Sequence, residues 1–173
     1  PKLTIEDGVV VQFLPGTSLH IGSSSYGDLE VNGTVTGVTF TSAATAPQPG
    51  DWQQLRIYSN SSAATVLDGL TLEYGGSSEG MLVTDGSSPV IRNSTIQHSA
   101  TSGIYSTNGA QPTITSTSIV DNGAFGVECT GSVCISQAAG SFTGNTVSGN
   151  GNHPFSLYAP EVASLDASSS YVG

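Results

Sequence analysis

The tract Leu67-Asp-Gly-Leu-Thr-Leu72-Glu-Tyr74 returns as Ile91-Arg-Asn-Ser-Thr-Ile96-Gln-His98, as Ile114-Thr-Ser-Thr-Ser-Ile119-Val-Asp121 and as Phe142-Thr-Gly-Asn-Thr-Val147-Ser-Gly149, in steps of 24, 23 and 28 residues. A second motif follows each copy in phase, as Gly80-Met81, Gly103-Ile104, Gly126-Val127 and Pro154-Phe155. Ser88-Pro89-Val90 and Gln111-Pro112-Thr113 close two of the turns. The same side-chain types therefore return at the same point of every cycle. A hairpin array does not do this, whereas a coil of parallel strands does.

Working outward, the first third of the chain follows the same grammar less regularly, with strands expected at 9–13, 18–21, 28–31, 35–40 and 52–57, giving about six rungs. The stretches 43–50, with Pro47 and Pro49, and 137–140 read as loops bulging from the coil. No segment sustains helical spacing, so the class is all-β. Ser, Thr, Gly and Asn supply 76 of the 173 residues, so order must come from pattern rather than from bulk hydrophobicity. Thirteen acidic residues face three basic ones, for a net charge of −10. That balance excludes nucleic acid and an anionic leaflet as partners. No apolar run approaches about 18 residues and Pro1-Lys2-Leu3 opens no signal peptide, so membrane insertion is not expected and an export signal would lie outside these residues.

The tract Leu3-Thr-Ile-Glu-Asp-Gly-Val-Val-Val-Gln-Phe13, then Pro15-Gly-Thr-Ser-Leu19, Val38-Thr-Phe-Thr-Ser42 and Gly50-Asp-Trp52, followed by the Asn/Thr/Ile repeats, resembles the right-handed parallel β-helix repeats of large secreted or surface-attached bacterial proteins, the pectate-lyase-like solenoid superfamily. The resemblance implies a single-stranded right-handed parallel β-helix of about six rungs of about 23 residues, with residues 1–173 as one domain and a secreted or cell-surface location. That superfamily holds pectate lyases, polygalacturonases, uronan epimerases, phage tailspikes and adhesins, so it specifies fold more than function. The chain ends at Tyr171-Val-Gly173 without a polar cap. It is therefore expected to be a segment of a longer solenoid, or to associate end to end with another copy.

Stacking of about 4.8 Å per rung turns the alignment into columns. Leu55, Met81, Ile104, Val127 and Phe155, and then Ile57, Val83, Ser106, Cys129 and Leu157, are expected to face inward. Arg56, Leu82, Tyr105, Glu128 and Ser156 face outward between them, and Tyr58, Thr84, Thr107, Thr130 and Tyr158 form the next outward file. Tyr58, Thr84, Tyr105, Thr107, Thr130 and Tyr158 are thus the candidate glycan-binding residues, although a threonine ladder also stabilises a sheet simply by packing. Glu128 has no carboxylate on adjacent rungs, and Arg56 stands about 14 Å away at strand spacing. The paired carboxyls of a glycosidase are therefore missing on that face, as is the base beside a cation that a lyase needs.

Tyr74, His98 and Asp121 occupy equivalent positions on successive rungs, with Glu73 and Gln97 beside them and Asp68 against Arg92. They are the catalytic candidates, with His98 as base, Asp121 holding it and Tyr74 as acid. A polar ladder at a turn is the simpler reading. Gly69, Asn93, Ser116 and Gly144, and again Gly75, Ser99, Asn122 and Asn150, suit left-handed corners. Asp85-Gly86 and Asp121-Asn122-Gly123 offer a weak Ca²⁺ alternative, since no segment spaces several acids as Ca²⁺ loops do, and otherwise no cofactor or metal is expected. Cys129 and Cys134, five apart, suggest a disulfide made outside the cytosol, with two buried thiols as the alternative. Asn32, Asn60 and Asn93 match the glycosylation pattern, which so Asn- and Thr-rich a chain produces by chance. The residues together favour a non-enzymatic extracellular structural or adhesive segment with weak contacts to a polysaccharide or cell-surface glycan. A fragment of a polysaccharide-processing lyase, hydrolase or epimerase is the alternative.

Overall fold

A computed structural model describes residues 1–62, 64–131 and 140–157, together with the backbone of 171–172. Each coil contributes three strands. They are β1 (Lys2–Glu6), β2 (Val10–Phe13) and β3 (Leu19–Ile21); β4 (Asp28–Asn32), β5 (Val38–Ser42) and β6 (Leu55–Tyr58); β7 (Val66–Asp68), β8 (Leu70–Glu73) and β9 (Gly80–Asp85). The later coils hold β10 (Val90–Arg92), β11 (Thr95–Gln97) and β12 (Ser102–Thr107); β13 (Thr113–Thr115), β14 (Ser118–Val120) and β15 (Val127–Thr130); β16 (Phe142–Thr143), β17 (Thr146–Ser148) and β18 (Phe155–Ser156). A last strand, β19 (Tyr171–Val172), lies on β17.

The strands stack into three parallel sheets, ordered β1-β4-β7-β10-β13-β16, β2-β5-β8-β11-β14-β17-β19 and β3-β6-β9-β12-β15-β18. This is the expected solenoid of about six coils, and no helix occurs among the described residues. The expected rung of about 23 residues is its minimum. Ile5, Val31, Leu67, Ile91, Ile114 and Phe142 stand in register, at steps of 26, 36, 24, 23 and 28. The second step is the longest because the connection 43–54 is extruded from the coil.

One apolar file per sheet builds the core. The second sheet stacks Val11, Phe40, Leu72, Ile96, Ile119 and Val147, and the third stacks Leu19, Leu55, Leu82, Ile104, Val127 and Phe155. These join the first-sheet file in a single continuous cluster. Trp52, fully buried just before β6, stacks on Phe13 with ring centroids 4.2 Å apart and donates its indole N–H to the Glu73 carbonyl at 2.9 Å.

Two corner columns repeat. Gly69, Asn93, Ser116 and Gly144 adopt φ of 66, 51, 50 and 67°, the left-handed corner expected of them. The second corner falls one residue earlier than expected, on Tyr74, His98, Asp121 and Gly149, with φ of 62, 56, 54 and 68°. The following residues turn inward instead. Asn122 and Asn150 donate to the Ile96 and Ile119 carbonyls, and Asn122 Nδ2 also donates to Asn150 Oδ1 at 2.9 Å. A buried amide thus satisfies backbone groups at the corner.

The strand expected at 35–40 begins only at Val38, because 35–37 wrap a carboxylate. Asp7 accepts hydrogen bonds from the Thr36 hydroxyl and from the backbone N–H groups of Val35, Thr36 and Gly37. These bonds, the Thr36 hydroxyl first, hold its pKa at about 2. Asp51, bonded by Ser42 and the Gln48 amide, is also lowered. So is Asp28, where burial pulls upward but the Ser62 amide and Tyr26 hydroxyl prevail. A carboxylate depressed in the folded state stabilises it above the unfolded value near 4 and loses that contribution as pH falls through the folded value. Stability is therefore expected to decline as the pH drops from about 4 to about 2. Urea midpoints measured across that range should show the decline, and Asp7→Asn should flatten it.

Candidate functional site

The third sheet gathers the sequence-derived binding residues, and its register departs from expectation in one coil. Arg56 pairs with Val83 and Tyr58 with Asp85, while Leu82 rather than Met81 stacks between Leu55 and Ile104. Thr84 is therefore not on the outward face. It is fully buried, with its hydroxyl 2.7 Å from that of Ser106. The outward file is Tyr58, Asp85, Thr107 and Thr130, and Tyr158 lies outside the described residues. The cause is local: Gly80-Met81 aligns by residue type with Gly103-Ile104, but Gly80 pairs with Ser102, one residue earlier. Aligning the turn glycines Gly86 and Gly109 repeats the same one-residue error, because the left-handed residues that follow the paired strand ends are Gly86, Asn108 and Gly131.

This shift brings together charges that the sequence reading kept apart. The Arg56 guanidinium meets Asp85 at 3.2 and 2.7 Å and Glu79 at 2.5 Å, and Asn108 donates to Asp85 at 2.7 Å. Burial pushes the Asp85 carboxyl upward, but the bonds from Asn108 and Arg56 and the guanidinium charge hold it below the ordinary range. Arg56 also stands over the Tyr58 ring at 5.1 Å, and His20 meets that ring edge-on at 5.5 Å. Further along, Thr130 donates to the Tyr105 hydroxyl at 3.0 Å and Ser102 to Glu128 at 2.5 Å. A carboxylate clamped in the ionised form cannot serve as a general acid, and a guanidinium shared by two carboxylates has little charge left for an anionic substrate.

The Tyr74, His98 and Asp121 column exists as expected, at the left-handed corner beside the second sheet. The rings of Tyr74 and His98 stack with centroids 5.2 Å apart and planes 18° from parallel. His98 Nδ1 is buried without a hydrogen-bond partner among the described residues, so Asp121 does not orient it. The Asp121 carboxylate instead lies over the next corner, where a Cβ on Gly149 would come within 2.2 Å of Oδ1. The base, its orienting acid and the proton donor are stacked but not linked, which is not the geometry of proton transfer. The flanking acids are engaged: Glu73 accepts from Thr41 at 3.0 Å and Gln97 at 2.8 Å, and Asp68 accepts from Arg92 and Asn93, both at 2.8 Å.

An open cavity of about 330 Å³ lies elsewhere, beside the first coil, lined in part by Lys2, His20, Ser24, Tyr26 and Asp28. Among the described residues no three metal-ligating side chains converge. Cys129 is buried in the inward file after Ser106, as expected, while Cys134 lies outside the described residues.

Searches of curated proteins and of solved structures each returned no match. The family described as the right-handed beta helix region matches residues 4–162, which span all six coils described above, and the chain therefore belongs to the right-handed β-helix family.

Proposed function

We propose that this domain is a non-enzymatic extracellular rod, structural or adhesive, whose third sheet makes weak contacts with a neutral polysaccharide or cell-surface glycan. The supporting observation is that outward polar groups bond from coil to coil: Thr41 to Glu73 to Gln97, Arg56 to Asp85 to Asn108, and Tyr105 to Thr130. Each such bond adds about 0.5–1.5 kcal/mol to coil stacking and withdraws a group from chemistry. The half-exposed Tyr58, Tyr105, Thr107 and Thr130 offer ring faces and hydroxyls suited to sugars. A Cys129–Cys134 disulfide belongs to the same proposal.

The test is incubation with bacterial and plant polysaccharides, with and without Ca²⁺, while reducing ends, unsaturated products and co-sedimentation are followed. Binding without turnover, weakened by Tyr58→Ala or Tyr105→Ala, is expected. Product formation abolished by His98→Ala would instead establish the lyase, hydrolase or epimerase reading. Two titratable thiols in the denatured, unreduced chain would remove the disulfide and weaken the case for an extracellular setting.

A further inference from the structure

The chain contains four Asn-Gly pairs, at Asn32-Gly33, Asn108-Gly109, Asn122-Gly123 and Asn150-Gly151. This dipeptide is prone to intramolecular attack, since the glycine nitrogen reaches the asparagine side-chain carbonyl with no side chain in the way. Three of the four are locked. Gly33 N–H donates to the Asp68 carbonyl at 2.8 Å, Gly123 to Ser99 at 2.8 Å and Gly151 to Asn122 at 2.7 Å. Asn122 is also buried, and both Asn122 and Asn150 use their side-chain amides to hold neighbouring coils.

Asn108-Gly109 differs in its exposure and in its glycine nitrogen, although its side-chain amide also reaches the neighbouring coil. Both residues are exposed in the turn after β12, with φ of 53 and 77°, and among the described residues the Gly109 N–H donates no hydrogen bond. From this contrast we infer that Asn108 is a site of spontaneous deamidation, selected by the fold from four chemically equivalent pairs. The Gly109 nitrogen, losing its proton, bonds to Asn108 Cγ. The Cγ–Nδ2 bond breaks, ammonia leaves and a five-membered succinimide results. Water then opens the ring at either carbonyl, giving aspartate or its isoaspartyl isomer without any oxidant or enzyme.

The product alters the third sheet. Asn108 Nδ2 donates to Asp85 Oδ1 at 2.7 Å, and deamidation replaces this donor with a second negative charge. Asp85 loses the donor that Asn108 supplied and keeps only Arg56, and the tie between β9 and β12 turns repulsive. The modified face belongs to the surface proposed above for glycan contact, but the chemistry does not depend on that role.

The folded chain should be held in mildly alkaline buffer and sampled by peptide mapping that separates asparagine, aspartate and isoaspartate at all four pairs. Asn108 is expected to convert at least about tenfold faster than the others, because they react only through local opening. In denaturant the four rates should converge. Equal rates in the folded protein would overturn the inference, as would undiminished selectivity in denaturant. Asn108→Gln should abolish the early gain of negative charge, and its persistence in that variant would also overturn the assignment.

Discussion

Trp52→Ala is expected to destabilise the fold by about 3–5 kcal/mol, the cost of deleting a large buried aromatic. The indole connects three coils: it stacks on Phe13 of the first, precedes β6 in the second and hydrogen-bonds the Glu73 carbonyl of the third. Its third wall is Gly75, where a Cβ would come within 2.7 Å of the ring. Trp52→Phe should recover most of the packing but leave the Glu73 carbonyl unpaired, an intermediate loss of about 1–3 kcal/mol. Urea unfolding followed by circular dichroism measures both. A Trp52→Ala loss below that of Trp52→Phe would mean that the stack is not what holds the connection 43–54 to the coil.

Gly69→Ala should be comparably severe, at about 2–5 kcal/mol from a left-handed backbone plus overpacking. A Cβ there would sit 1.7 Å from the Gly33 carbonyl oxygen, and φ is 66°. Asparagine separates the two causes, because it tolerates the left-handed region but still carries a Cβ. Gly69→Asn is expected to retain the overpacking cost of about 1–3 kcal/mol. Gly144→Asn, at the equivalent corner with its nearest atom 3.5 Å away, should stay within about 0.5 kcal/mol of the parent. Equal losses in the two variants would show that backbone conformation, not the approach of two coils, decides the residue at this corner. The single tryptophan supplies a fluorescence signal for both unfolding curves.

The difference between these sites also explains what was readable from sequence. Gly69, Asn93, Ser116 and Gly144 could be identified as corners because left-handed turns have their own residue chemistry and recur in phase. The files through Leu72, Ile96, Ile119 and Val147 were legible for the same reason. Thr84 was not, because alternation carries a one-residue error to the opposite face, and Gly80 matches Gly103 in type but pairs with Ser102. The Arg56, Asp85 and Asn108 cluster was lost with it. The role of Trp52 depends on Phe13 and Glu73, partners from other coils that no local pattern announces. β1 entered only through family resemblance, since the repeat unit that reveals the later coils is least regular there.

In a solenoid each coil touches only its neighbours, so opening is ordinarily local and proceeds one coil at a time. The Arg56, Asp85 and Asn108 chain reaches across three coils, from β6 through β9 to the turn after β12. A bond network longer than the repeat lengthens the cooperative unit. Amide hydrogens in β6, β9 and β12 should therefore exchange together as one block, and under tension the rod should yield there in a single larger step.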